Sequence, residues 1–412
     1  MICHPEYMDG SISGAKVEDV PYSGAPSLDG VSISDNIYIS VLLINTFCIL
    51  GIINPQCYLG ESSYTDQMRS RPLTCIFHGP AVFDEGDAAI IERILAPDRL
   101  IVAGVMGRTA AAESGLAIIP ADLPPSFVIN KMTGDSILVN RGKTPESGRW
   151  FGEIVASRII GGRGLVHIEC SDQTCYLWNE GDRILAEYVA DQIGYTITEV
   201  TSSCRNTAEI RTIHGCLPGE PVCVEGITIG YATAGEVIIS RNNGTLIPIS
   251  GIRIKPHGLE KLTAIGCPPL DRAWCKSGQI RSNLPHTGAR QAPGCGRVAV
   301  IDHAALDIYR IITPDLAGII TIGDDTTAVC GHIGAVHGVP VFGITDGDAD
   351  GIVPETYAPG SVVTHVIVGS DDEIGREIAA VIPPGTEIYW DRLVADLLSG
   401  FSGTIRIVRD LR

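Results

Sequence analysis

The run IITIGDDTTAVCGHIGAVHGVPVFGITDGDADG, residues 319–351, sets five aspartates at the ends of two apolar strands and decides how the rest of the chain is read. Its β-branched start predicts a strand to Ile322, and the Gly323-Asp-Asp-Thr-Thr327 turn after it can cap a helix through Asp or Thr. A second strand from Val339 to Ile344 then delivers the chain into Asp346-Gly-Asp-Ala-Asp350. Both acidic turns therefore follow carboxyl ends of strands. In open α/β sheets that edge forms the usual ligand crevice, and helix N-termini there attract phosphate. Asp324, Asp346, Asp348 and Asp350 offer the hard oxygen donors that Mg²⁺ uses. Gly323, Asp325, Thr326 and Thr327 are placed to meet a phosphorylated ligand bridged by that ion. Asp, Gly and Thr are also the ordinary residues of turns and caps. Five carboxylates gathered without arginines nearby nevertheless require a cation or raised pKa values.

Outward from this run, length sets the frame. A chain of 412 residues is too long for one ordinary core and divides into two or three domains. The net charge of −18 argues against a general nucleic-acid binder, which would show a basic face. One local basic stretch exists: Arg272, Lys276, Arg281 and Arg290 fall in a Gly-, Pro- and Ser-rich segment, read either as a solvated loop or as a phosphate clamp. The thirteen cysteines are scattered with no Cys-x-x-Cys spacing, which excludes the common zinc and iron–sulfur patterns and suits buried thiols in a reducing cytoplasm. No Gly-x-Ser-x-Gly elbow supports serine hydrolysis.

Residues 36–60 carry no charge, and Ile37 to Ile53 is apolar enough to suggest a membrane anchor. Asn45 interrupts it, and the preceding stretch lacks the basic flank of a signal. The expectation is instead that residues 1–67 are an unstructured or spurious extension and that the working chain begins at Met68, with no membrane association.

From Met68 the pattern is α/β, with parallel-sheet βαβ units and a β-rich inserted subdomain. A strand at Leu73 to Phe77, a helix at Asp84 to Leu95 and a strand at Leu100 to Val105 set the rhythm of an N-terminal domain over 68–218. Short alternating segments divided by glycines make 219–262 β-rich. A loop is expected over 263–296. A C-terminal α/β domain over 297–412 opens on Arg297-Val-Ala-Val-Ile-Asp302-His303 and contains the acidic run. In the first domain His78, Arg108 and Thr109 lie just past strand ends, as ligand groups would. Asp302 and His303 form a candidate acid–base pair, or a helix cap with a polar neighbour. His332 and His337, five apart on the expected helix, share no face and read as structural.

Two local resemblances bear on the acidic run. Ile322-Gly-Asp-Asp-Thr326 resembles the Gly-Gly-Asp-Gly-Thr loop of NAD kinase-like proteins, departing from it at Ile322 and Asp325, and that resemblance implies nucleotide phosphate. Asp346-Gly-Asp348-Ala-Asp350 resembles the Asp-x-Asp of Toprim metal sites, with His78 where a Toprim protein would place its upstream Glu. Over most of the chain, His78-Gly-Pro80, Ala103-Gly-Val-Met-Gly-Arg-Thr109, Ile301-Asp-His303, Gly323-Asp-Asp-Thr-Thr327 and Thr345-Asp-Gly-Asp348 together resemble a domain-of-unknown-function family of methanogenic archaea. That resemblance implies a cytoplasmic archaeal protein and no particular activity. The functional expectation is binding of a phosphorylated or nucleotide-like small molecule with Mg²⁺, with phosphoryl transfer or hydrolysis as the chemistry. Its alternative is a non-catalytic ligand-binding or assembly factor.

Overall fold

Leu73–His78 (β1) is buried on both faces, which is why it reads as a continuous apolar run rather than an alternating one. A computed structural model describes residues 71–203, 206–288, 290–302, 305–382 and 385–412. The expectations for residues 1–67, including the apolar run at 36–60, lie outside these, as does His303. Around β1 the chain adds Arg99–Ala103 (β2), Ile119–Ala121 (β3), Asp135–Asn140 (β4), Leu165–Glu169 (β5), Thr174–Trp178 (β6) and Thr196–Val200 (β7). Their order is β3-β2-β1-β4-β5-β6-β7, parallel except where β6 turns back against β5. Chain order reverses at β1, so the crevice between the carboxyl ends of β1 and β4 is a topological switch point.

The helix expected from Asp84 is two helices. Ala81–Asp84 stops at Gly86, whose φ of 81° suits glycine, and Asp87–Leu95 then begins afresh. The strand expected to reach Val105 stops at Ala103. Gly104, at φ 93° and ψ 142°, turns the chain at once into the helix Val105–Ser114.

The middle of the chain is β-rich, in line with its glycine-punctuated alternation. Ile210–His214 (β8), Glu236–Asn242 (β11) and Thr245–Ser250 (β12) form one antiparallel sheet. Pro221–Val224 (β9), Ile227–Ala232 (β10), Ile252–Ile254 (β13) and Cys275–Ser277 (β14) form another. Val222, Val224, Ile229, Val237, Ile239 and Leu246 fill the core they share with Leu262 of the helix Pro256–Ile265. Each such side chain contributes roughly 1.5–3 kcal/mol on burial. Within 263–296, where the composition predicts loop, the structure places β14 as an edge strand on β9.

The last part returns to α/β. Cys295–Asp302 (β15), Leu316–Ile322 (β16), Val341–Thr345 (β17) and Val362–Val366 (β18) are parallel neighbours, flanked by Ile388–Tyr389 (β19) and Ile405–Asp410 (β20). The helix Asp324–His337 covers one face of this sheet. Asp371–Ala380, capped by the Ser370 hydroxyl, and Trp390–Gly400 cover the other. Among the described residues no helix is long and apolar enough to cross a membrane.

Candidate functional site: a cleft between two sheets and an adjoining carboxylate cluster

The carboxyl ends of β1, β2 and β3 and those of the C-terminal sheet face one cavity of about 410 Å³. His78, Gly104 to Arg108 and Asp122 line it from the first sheet, Lys276 and Gly226 from the β-rich part, and Tyr309, Arg310, Asp325 and Thr326 from the C-terminal part. The helix Val105–Ser114 starts in its wall with no side-chain cap. Its first amides and the positive end of its dipole are thus turned to the cleft. Gly107 lets that helix sit close on the sheet, because a Cβ there would press on Val102 and the Gly79 amide.

Arg108 donates to Asp122 at 2.5 Å and lies 4.2 Å over the Tyr309 ring. Lys276 is positioned differently. Burial, with Lys143 as a second cause, lowers its pKa, and no carboxylate pairs with it at ion-pair distance among the described residues. Thr109, read from sequence as a ligand group, is fully buried, and its hydroxyl meets the Tyr309 hydroxyl at 2.8 Å. It ties the first helix to the C-terminal part and does not face the cleft.

A second, smaller cavity of about 40 Å³ shares Gly226, Asp325 and Thr326 with the first. Gly323, Asp324, Asp348, Asp350, Lys255, His257 and Lys261 also line it. Here the acidic turns meet, because Ile322 and Ile344 are register partners on adjacent strands. Asp324 accepts from the Asp346 amide at 2.9 Å and from the Gly347 amide at 3.1 Å. One ligand atom each from Asp324, Asp346 and Asp348 lie within 4.8 Å of one another. Asp346 Oδ1 is buried with no hydrogen-bond partner, an orphaned oxygen of the kind a hard cation would satisfy. His257, Asp346 and Asp371 form an overlapping trio at the same spacing.

Asp350 turns away from that trio. It accepts from the Tyr231 hydroxyl and from Lys255 at 2.8 Å, and Lys255 also reaches Asp348 at 2.9 Å. Asp325 accepts from the Asp350 amide at 3.0 Å and the Thr228 hydroxyl at 3.1 Å. Burial, and then the charge of Asp350, push the Asp325 carboxyl up to about 7. Burial likewise raises Asp324, with the Asp346 carboxylate adding to it. Burial works against ionisation of Asp348 too, but Lys255 outweighs it and holds that carboxyl below its ordinary range.

The remaining candidates divide. Thr326 lines both cavities, whereas Thr327 is buried and bonded to the Thr321 hydroxyl at 2.8 Å. Asp302 is exposed at the end of β15 and lines neither cavity. His332 is fully buried between Pro354 O and Arg281, in keeping with a structural role. No motif signals Tyr231, Lys255 or Thr228. They come from the β-rich part, where alternation reports which face a residue takes but not what lies opposite it.

The family model for DUF2117, uncharacterized proteins conserved in archaea, matches residues 75–385. The chain belongs to this family. It is also similar to an uncharacterized protein of Methanocaldococcus jannaschii, 32% identical over 325 residues that span 73% of this chain and 88% of the relative. No solved structure matches the chain. The matched segment of this DUF2117 member contains the cleft, the parallel strands β15 to β18 and every aspartate of the cluster.

Proposed function

We propose that the chain binds a phosphorylated or nucleotide-like small molecule in the larger cleft, with Mg²⁺ held beside it by Asp324, Asp346 and Asp348, as a cytoplasmic protein. The observation that carries this reading is the uncapped N-terminus at Gly104 opening, together with Lys276 and Arg310, into a cavity that shares the Asp325–Thr326 wall with the carboxylate trio. Amides, a helix dipole and cations favour an anion, and three converging carboxylates favour a hard divalent cation. Phosphoryl transfer or hydrolysis is the chemistry such a pairing serves. Asp325, with its carboxyl near neutrality, stands between the two cavities as the candidate proton carrier.

Calorimetric titration with inorganic phosphate, AMP and ATP, each with and without Mg²⁺, tests the reading. Mg²⁺-dependent binding of a nucleotide supports it, and Asp346→Asn should then weaken the Mg²⁺ dependence while leaving the melting temperature unchanged or raised. No binding of any of the three ligands, with Mg²⁺ present, would sink it.

One observation favours a non-catalytic reading of the cluster. Lys255 already bridges Asp348 and Asp350, and so acts as an internal counter-ion. Lys255→Met separates the two readings. If the cluster is a cation site, Mg²⁺ should restore the melting temperature that this variant loses. If it is a structural brace, Mg²⁺ should do nothing.

A further inference from the structure

From His78 at the wall of the cleft a line of polar side chains runs back into the core of the first sheet. Glu169, at the end of β5, is fully buried and surrounded by donors. Its Oε1 accepts from the Gly142 amide at 2.8 Å, the Ser171 amide at 3.0 Å and the Ser171 hydroxyl at 2.7 Å. Its Oε2 accepts from Asn140 Nδ2 at 2.8 Å. Burial raises the Glu169 pKa, while the Gly142, Ser171 and Asn140 donors work to keep it ionised; as a carboxylate it accepts only, so the Asn140 amide turns its NH₂ inward and its Oδ1 outward. That oxygen lies 3.4 Å from His78 Nδ1. An amide oxygen cannot donate, so the proton of the neutral imidazole sits on Nδ1. His167 fits the same order. Trp178 Nε1 donates to its Nδ1 at 3.5 Å, which leaves the His167 proton on Nε2, 3.8 Å from Glu169.

The other side of the His78 ring is open. Its Nε2 makes no hydrogen bond within the described residues, and a Cβ on Gly104 would stand 3.6 Å from it, at the cavity wall that His78 and Gly104 share. Phe151 stacks on the ring at 4.1 Å with an interplanar angle of 15°, so the imidazole cannot swing. Gly148 and Gly152, on the same helix as Phe151, make room for Glu169 and His167, which any side chain there would strike. Burial, opposed by Asn140 and assisted by the Lys276 charge, lowers the His78 pKa to about 4 and keeps the ring neutral.

We propose that His78 is the specificity-determining residue of the cleft, presenting a bare Nε2 as hydrogen-bond acceptor to a hydroxyl or amino group of the ligand, with Asn140 and Glu169 as positioning residues that fix its tautomer. This rests on the reading that the cleft binds a small molecule. It refines that reading to ligands carrying a donor beside their anionic group, since Lys276 and the Gly104 helix end face the same space.

Histidine-selective ¹⁵N spectra of the full chain at neutral pH read the tautomer without any ligand. The resonance lost in His78→Gln, or in His78→Asn if the first variant misfolds, should be in the Nδ1–H form. Asn140→Ala should move it toward a mixture of forms. A wild-type His78 in the Nε2–H form, or charged, overturns the proposal. AMP, which carries hydroxyl and amino donors beside its phosphate, serves as the binding probe. His78→Gln, which retains an acceptor, should bind AMP nearly as well as wild type, and His78→Phe should lose about tenfold or more. Equal AMP affinity in the Phe variant overturns the acceptor role while leaving the ligand class standing. If wild type binds neither AMP nor ATP, the nucleotide reading falls, and an Nε2–H or charged His78 in the tautomer spectrum still overturns the acceptor independently of it.

Discussion

Two helices in this protein begin in the same way and end up with opposite electrostatics. At Ala103-Gly104-Val105 and at Ile322-Gly323-Asp324, a buried parallel strand passes through a glycine at φ 93° and ψ 142°, or φ 99° and ψ 146°, straight into a helix with no side-chain cap. After Gly104 come Val105, Met106 and Gly107, and the positive helix end is left open to the cleft. After Gly323 come Asp324 and Asp325, whose carboxylates take the amides of Asp346, Gly347 and Asp350 and tie down the returning loop. The backbone device is one and the same. The first residues past the glycine decide whether that end of the sheet suits an anion or a cation.

Arg281 joins the two helices, and its loss should have the largest effect. It is bidentate to Glu113 on the Gly104 helix, at 2.9 and 2.8 Å, pairs with Asp84, and donates to His332 on the Gly323 helix at 3.3 Å. Its side chain is only 2% exposed. Arg281→Ala strands two carboxylates and should cost about 3–5 kcal/mol in urea unfolding. A loss under about 1 kcal/mol would mean that the two helices are not coupled through this residue.

Gly104→Ala and Gly323→Ala come next. Each forces a Cβ into backbone that L residues avoid, and each should cost about 1–3 kcal/mol. The test is their equality: if one substitution is well tolerated in thermal melts and the other is not, the two junctions are not equivalent devices.

The carboxylate end should show itself through pH. The Asp325 carboxyl is raised in the folded state to about 7, so its contribution is fully present below the unfolded value near 4 and is lost as pH rises through 7. Asp325→Asn should flatten that loss, gaining roughly 1–2 kcal/mol over wild type at about pH 8 and nothing below about pH 4. A wild-type stability that rises from pH 4 to 7, with the Asn variant parallel to it, would refute the assignment.

The smallest change in stability is expected when one junction is made to imitate the other. Val105→Asp places a carboxylate where the Gly323 helix has Asp324. The dipole gain of about 0.5 kcal/mol offsets part of the lost Val105 packing, for a net change within about 1 kcal/mol. Phosphate or AMP binding should nevertheless drop sharply in titration. Retained binding would show that the Gly104 helix end does not face the ligand.

Much of this architecture is readable from local pattern. The β-branched runs ending at Phe77 and Ile322 are strands because they are buried on both faces, and that burial leaves its mark on composition. The meeting of Asp324 with Asp346 and Asp348 is equally accessible, since two acidic turns at the carboxyl ends of adjacent parallel strands have little choice but to meet. Other residues resist. Thr109 and Thr327 look like ligand groups beside glycines, yet both are buried and bonded to other hydroxyls. Short-range spacing places a hydroxyl near a strand end but does not say whether packing turns it inward.

The sequence by itself determined the α/β class, the β-rich insertion and the glycine-led acidic turn at Gly323, while the matching turn at Gly104 was hidden inside an apolar run that reads as strand. Those properties depend on contacts within a strand, a turn or one βαβ unit, where side-chain period and turn chemistry act directly. Only the tertiary structure sorted the basic residues of the 271–291 stretch: Arg281 closes on Asp84, 197 positions away, while Lys276 faces the cleft. It alone brought Lys255 to Asp350 across 95 positions and lined up His78, Asn140 and Glu169 from three different strands. Neutralising a buried charge and fixing a buried tautomer are settled by whichever groups the packing of separate elements sets opposite one another. No local pattern carries that information.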